Sequence, residues 1–206
     1  MPTQARVIYD GAVCHIIQRG NNRQRIFKEE GDYEKFLSLI VKYRSKYGFD
    51  IYNYCLMSNH LHLLMKVTIG KDLPKLMQGV FQSFRFYYRK RYKYTGYLYQ
   101  GRYKNKAIKT DEYLLECARY IERNPLRAGI VKDLSQYRWS SYYRYAYGIK
   151  NDIVAENPIY ATLGRSAIER QKAYREYVLT ERIYEDILDR EFKINEAVGC
   201  HQIGRL

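Results

Sequence analysis

Apolar positions recur along this chain with two periods, about 3.6 residues and about 2 residues, and the switches between them outline its elements. Residues 6–18 (RVIYDGAVCHIIQ) read as an extended segment, a strand from about Ala12, followed by the turn-rich RGNNRQ. Over 32–47, Tyr33, Phe36, Leu37, Ile40, Tyr43 and Tyr47 share one helical stripe, and Gly48 stops it. Two β-rich runs, 49–57 (FDIYNYCLM) and 60–68 (HLHLLMKVT), flank the polar pair Ser58-Asn59 and predict a hairpin. A second amphipathic helix spans 73–91, with Leu73, Leu76, Met77, Val80, Phe81, Phe84, Tyr87 and Tyr88 on its apolar side.

A loop is expected around 94–106. Thr110 then serves as an N-cap, and Asp111 and Glu112 suit the helix dipole. This third helix turns Leu114, Cys117, Ala118 and Ile121 inward and is expected to end near Asn124-Pro125. Residues 125–147 hold a short element and a tyrosine-rich segment. Gly148, Pro158 and Gly164 mark 148–165 as a linker, and Ser166-x-x-Glu169 is a capping box opening a helix to about residue 189.

The order strand–helix–strand–strand–helix, then more helix, predicts an α+β fold: an antiparallel sheet with helices on one face, ferredoxin-like in its simplest form. The expected organisation is one domain over 1–147, a linker over 148–165 and a C-terminal helical extension over 166–206.

Composition narrows the function. With 46% hydrophobic residues among 206, the chain can build a core. Its 36 Lys and Arg outnumber 22 Asp and Glu, a net +14 that suits a polyanion such as nucleic acid. Cys14, Cys55, Cys117 and Cys200 are scattered without a Cys-x-x-Cys pair, which argues against a zinc ribbon or disulfide scaffold and fits a reducing cytoplasm. The opening MPTQARVIYDGAV lacks a signal-peptide pattern, and no apolar run reaches membrane-spanning length. A cytoplasmic protein without membrane contact is expected. No Gly-rich phosphate loop is present, so no nucleotide cofactor is expected.

Candidate chemistry begins with His60-Leu61-His62. On a strand both imidazoles face one side and can share a divalent cation. The alternative is a half-exposed strand that happens to carry two histidines. A nitrogen and oxygen site with open positions suits Mg²⁺ or Mn²⁺ bound together with phosphate. Tyr120 and Asn124 lie one turn apart on the third helix. Facing the histidines, Asn124 could offer a ligand oxygen and Tyr120 a nucleophile. Alternatively Asn124-Pro125 is a helix-boundary pair and Tyr120 is packing.

From Leu73 to Thr110 there is no acidic residue and there are ten basic ones, interleaved with tyrosines such as Tyr87, Tyr88, Tyr92 and Tyr99. This combination neutralises phosphates and stacks unpaired bases. Arg85, Arg89, Lys90, Arg91, Lys93, Arg102, Tyr103 and Lys104 are the expected nucleic-acid contacts. The alternative puts Tyr87 and Tyr88 in the core and the lysines on a solvated face. His15 could approach the site if the first strand is central, or be a satisfied core histidine.

Three ordered blocks, SNHLHLLM (58–65), GRYK (101–104) and RYIERNPLRAG (119–129), resemble the single-tyrosine HUH transposases, and within them the REP-associated branch. CHIIQRGNNRQRIF (14–27) is similar to that family's opening strand and turn, so the resemblance covers about residues 6–147. It implies a ferredoxin-like core, His60, His62 and Asn124 as ligands of Mg²⁺ or Mn²⁺, and Tyr120 as nucleophile. It also implies cleavage of single-stranded DNA beside a hairpin, leaving a 5′-phosphotyrosine and a free 3′-hydroxyl. Ser58 departs from the proline many relatives carry before Asn-His. A homodimer and a monomer both occur among such enzymes. The competing class is a non-catalytic module that holds hairpin DNA or RNA.

Overall fold

The computed structural model describes residues 8–181. Strand β1 (Val13–Arg19) leads through a turn to helix α1 (Glu30–Tyr47), then the hairpin β2 (Phe49–Met57) and β3 (His60–Val67), helix α2 (Leu73–Tyr92), strand β4 (Lys104–Ile108) and helix α3 (Asp111–Arg127). Helices α4 (Tyr142–Tyr147) and α5 (Ala167–Leu179) follow. The four strands are ordered β2-β3-β1-β4 and every pairing is antiparallel. That is the expected ferredoxin-like α+β arrangement, with β1 and β3 central.

Strand β4 falls partly inside the expected loop. Its sequence, KNKAI, carries no apolar alternation, because it is a short edge strand with lysines on one side. Such lysines also discourage edge-to-edge association.

Alternation on the central strands divides the interior into two cores. Cys14, Ile16, Leu61, Leu63 and Met65 pack with Phe36 and Ile40 of α1 and Val80 and Phe84 of α2. Helices α1 and α2 thus cover one face as expected. Ile17, Cys55, Met57 and Leu64 pack on the other face against Cys117, Ala118, Tyr120 and Ile121 of α3. The third helix therefore forms a layer of its own.

Helix α3 starts as expected, with the Thr110 side chain accepting from the Tyr113 amide. It does not end at Asn124-Pro125 but runs through Pro125 to Arg127. Proline removes the N–H that Ile121 C=O would accept. The Asn124 side-chain amide supplies donors in its place, to Tyr120 O (2.8 Å) and Ile121 O (3.3 Å).

Residues 148–165 lie against the sheet. Val154 bridges Ile51 on β2, and Ala155 N–H donates to Ile51 O (2.8 Å). Helix α5 opens with the expected capping box, Ser166 and Glu169, and stops at Leu179 instead of about residue 189. Residues 182–206, where that continuation and Cys200 fall, lie outside the described part. The carbonyls that end α5 are taken by α3: Arg119 donates to Thr180 O (2.6 Å), and Arg123 to Val178 O (2.9 Å) and Leu179 O (2.8 Å).

Beneath these contacts, Glu122 of α3 is fully buried and accepts from Asn53 (2.8 Å), Ser141 (2.5 Å) and Tyr174 (2.8 Å). Burial raises its carboxyl from 4.5 to about 7, and the three hydrogen bonds pull the other way. The network ties β2, the start of α4 and α5 to the helix that carries Tyr120. Among the described residues no helix is long and apolar enough to cross a membrane.

Candidate active site

Strand β3 places His60 and His62 on the face that looks at α3, with Leu61 and Leu63 turned to the other core. Central β1 adds His15 and Arg19 to the histidine face. Arg19 pairs with His60 and Ile17 with His62, so His15 lies diagonally beside His62. His15 Nε2 and His62 Nδ1 share a hydrogen bond of 3.0 Å. The His62 ring lies 5.2 Å from that of His15 and 5.1 Å from that of His60.

Helix α3 lowers Tyr120 onto this cluster. Its ring stands edge-on to His62 at 5.6 Å and to His15 at 6.0 Å. Tyr120 and His62 are wholly buried. The Arg127 guanidinium lies over the Tyr120 ring at 5.4 Å, and Arg19 is close enough to interact electrostatically with Tyr120. Two cations thus flank the phenol ring.

The protonation of the imidazoles follows from their surroundings. Burial, then His60, His15, Arg127 and Arg19, hold His62 well below the usual imidazole range. Burial and Lys106 bring His15 down to about 3. Both rings are neutral at physiological pH, as ligation requires. His60 Nδ1 donates to the Asn59 side-chain oxygen (2.6 Å), which leaves the lone pair on Nε2. His62 Nε2 is buried and makes no hydrogen bond. Such an orphaned ring nitrogen fits a metal ligand.

Among the described residues no cluster of three His, Cys, Asp or Glu side chains is arranged as a metal site. An ion here would take two imidazoles and complete its shell with amide, phosphate or water oxygen, which suits Mg²⁺ or Mn²⁺. Asn124 is 7% exposed, and its amide nitrogen is committed to the backbone of α3, which leaves the carbonyl oxygen as its remaining polar atom.

The expected DNA contacts separate into groups. Lys104 and Lys106 pair with Ile17 and His15, so they extend the histidine face along the edge strand. Arg85, Arg102 and Tyr103 instead line a cavity on the opposite face. Arg89, Lys90 and Lys93 are exposed near the end of α2. Arg91 is held by Glu29 at a short contact and lies 3.8 Å from Asp32. Tyr87 and Tyr92 donate to Asp32, and Tyr88 is 1% exposed. Those tyrosines are structural, and the aromatics most open to solvent in this stretch are Phe86 (68%) and Tyr97 (76%).

Sequence reasoning missed Arg19 and Arg127 as neighbours of Tyr120. Both sit in the quoted blocks, and Arg19 has the same strand parity as His15, which is the signal that could have found it.

A family model described as "Transposase IS200 like" matches residues 9–124. Among solved structures, a REP-associated tyrosine transposase bound to a REP hairpin shares the fold, with a TM-score of 0.61 and 20% identity. That match covers 76% of this chain and 93% of the other. A candidate transposase from Deinococcus radiodurans aligns with a TM-score of 0.39 and 15% identity, over 66% of this chain and 97% of its own. No curated protein matches the chain.

Proposed function

Because this chain belongs to the IS200-like transposase family, we propose that it cuts and rejoins single-stranded DNA beside a hairpin, with Tyr120 as nucleophile and His60, His62 and Asn124 as ligands of Mg²⁺ or Mn²⁺. The observation that carries this reading is the Tyr120 ring set 5.6 Å from His62, a neutral imidazole whose Nε2 has no protein partner. The relative of similar fold was solved with a REP hairpin, which supports hairpin DNA as the substrate.

In the proposed step Tyr120 Oη attacks the phosphorus and the bond to the 3′-oxygen breaks. The products are a 5′-phosphotyrosine and a 3′-hydroxyl, which takes up the proton lost by the phenol. A 3′-hydroxyl attacking the phosphotyrosine reverses the exchange, so no phosphoester energy is lost and no nucleotide cofactor is needed. Arg19 and Arg127 lie beside the attacking phenol, while Lys104 and Lys106 offset phosphate charge along the edge of the sheet. His15 holds the His62 ring, and Asn59 holds that of His60. A bound divalent ion supplies Lewis-acid polarisation of the scissile phosphate.

One observation favours a second reading, a hairpin-binding module without catalysis: the complete burial of Tyr120. A single experiment separates the two. The protein is incubated with hairpin oligonucleotides carrying single-stranded flanks and Mn²⁺, then denatured and run on a gel. The transposase reading expects a covalent adduct that disappears in Tyr120→Phe and in EDTA. An adduct that persists in Tyr120→Phe overturns the nucleophile, and hairpin binding without any adduct selects the module.

A further inference from the structure

Helix α5 opens on a capping box and packs on α3, yet the chemistry assigned above gives it no part. Its contact with α3 is polar and is made at its C-terminal end. Arg123 of α3 donates to Val178 O (2.9 Å) and Leu179 O (2.8 Å), and Arg119 donates to Thr180 O (2.6 Å). One turn earlier on α3, Glu116 accepts from the Tyr177 hydroxyl (2.5 Å) and from Arg119 Nε (3.1 Å). Arg119 is wholly buried and Arg123 is 3% exposed, a state that arginine reaches only when it is paired.

These bonds complete the end of α5. A helix leaves its last carbonyls without donors of its own. Helix α5 ends on Thr180 in extended conformation, with no left-handed residue to fold the chain back onto them. The two guanidiniums supply the donors and set positive charge at the negative end of the helix dipole. For α3 the contact does something else. Its packing on the sheet is apolar, through Cys117, Ala118 and Ile121 against Ile17, Cys55 and Leu64. Apolar contact is non-directional and fixes depth more than axial register, whereas hydrogen bonds to set carbonyls fix register. Successive residues of a helix point about 100° apart, so Arg119 reaches α5 while Tyr120 reaches His62. Tyr120 and Asn124, the two residues of α3 assigned to the chemistry, each directly follow an arginine bound to α5.

We propose that α5 is a clamp that sets the register of α3, with Arg119 and Arg123 as positioning residues for Tyr120 and Asn124. The proposal rests on the cleavage reading above and gives residues 166–181 a part in it. The Tyr120 ring stands 5.6 Å from that of His62. A displacement of about 1 Å at a reacting atom can cost roughly 10²-fold in rate. Loosening the clamp therefore slows attack by Tyr120. It spares the hold on the hairpin, because the expected nucleic-acid contacts lie on α2, β4 and the segment between them.

The test follows the covalent adduct formed by the full chain in a single turnover, with a hairpin oligonucleotide carrying single-stranded flanks and saturating Mn²⁺. Each variant is assayed at a temperature where circular dichroism shows it folded. Arg123→Gln is expected to slow the adduct about 10- to 100-fold, while hairpin affinity in EDTA stays within about twofold of wild type. More DNA or Mn²⁺ should not restore the rate. Arg123→Lys keeps the charge at the end of α5 without the two-pronged reach, so it should show a smaller loss of the same kind. Where Arg123→Gln folds poorly, Arg123→Lys decides. Gly79→Ala crowds Tyr43 between α1 and α2, so it should lower the thermal midpoint and leave the rate unchanged. A wild-type rate in the folded arginine variants overturns the clamp and leaves the cleavage reading standing. An equal loss of rate in Gly79→Ala means that the rate follows stability alone, and a parallel loss of hairpin affinity makes α5 a binding element; either overturns the clamp. Wild type that forms no adduct overturns both readings.

Discussion

At the scale of single residues, the least expected participant is His15. Its hydrogen bond to His62 Nδ1 is the kind of contact that fixes a ligand's tautomer and orientation. Replacing it with phenylalanine keeps a ring in the core and removes that hold. His15→Phe is expected to lower Mn²⁺ affinity of the DNA-free protein about 10- to 100-fold, measured by titration calorimetry, while the fold persists. Glu122 makes a second residue-scale prediction. Its folded pKa of about 7 lies above the unfolded value of 4.5, so between those values the folded state holds a proton that the unfolded state has released. Stability from this group is full below pH 4.5 and falls as the pH rises to about 7. Glu122→Gln removes that fall. Comparing urea midpoints at pH 5 and pH 8, the variant should gain on wild type by about 2–3 kcal/mol at the higher pH. Neutral buried His15 and His62 act in the opposite direction, losing stability as the pH falls below 6.5, and cancel in the comparison.

At the scale of elements, α3 shows how a side chain can overrule a breaker. Asn124 serves Ile121 C=O where Pro125 cannot. Asn124→Asp keeps an oxygen for a metal but loses the donor, and should cost about 1–3 kcal/mol in chemical denaturation. Adding Pro125→Ala restores a backbone donor and should recover part of that loss. These side-chain details mark where sequence reading stops. The alternation in HLHLLMKV and the 3.6-residue stripes of α1 and α2 are visible without coordinates, and with them the histidine pair and most of the sheet. Strand β4 is not visible, because KNKAI owes its state to pairing with β1 and not to its own apolar pattern. Nor is the grouping of Tyr87 and Tyr92 around Asp32, since a tyrosine that stacks on a base and one that braces a carboxylate read alike. The packing of α1 on α2 offers a further check. A Cβ on Gly79 would lie 2.3 Å from the Tyr43 ring, so Gly79→Ala must displace that ring and should lower stability by about 1–3 kcal/mol despite alanine's better helix propensity.

At the scale of the whole molecule, a net charge of +14 predicts binding governed by counterion release. Hairpin affinity should fall about 10³-fold or more between 50 and 200 mM salt if six or more phosphates are contacted. Lys104→Ala should reduce the slope of log affinity against log salt by about one unit. Arg91→Ala should leave it unchanged, because that guanidinium is already engaged by Glu29.

The two-sided register of β1 has a consequence for how such a chain tolerates change. Six of its seven residues alternate between the faces: His15, Ile17 and Arg19 toward helix α3, and Cys14, Ile16 and Gln18 toward the other side. Point substitutions can alter one face and spare its neighbour. A one-residue insertion would exchange the two sets and silence both at once.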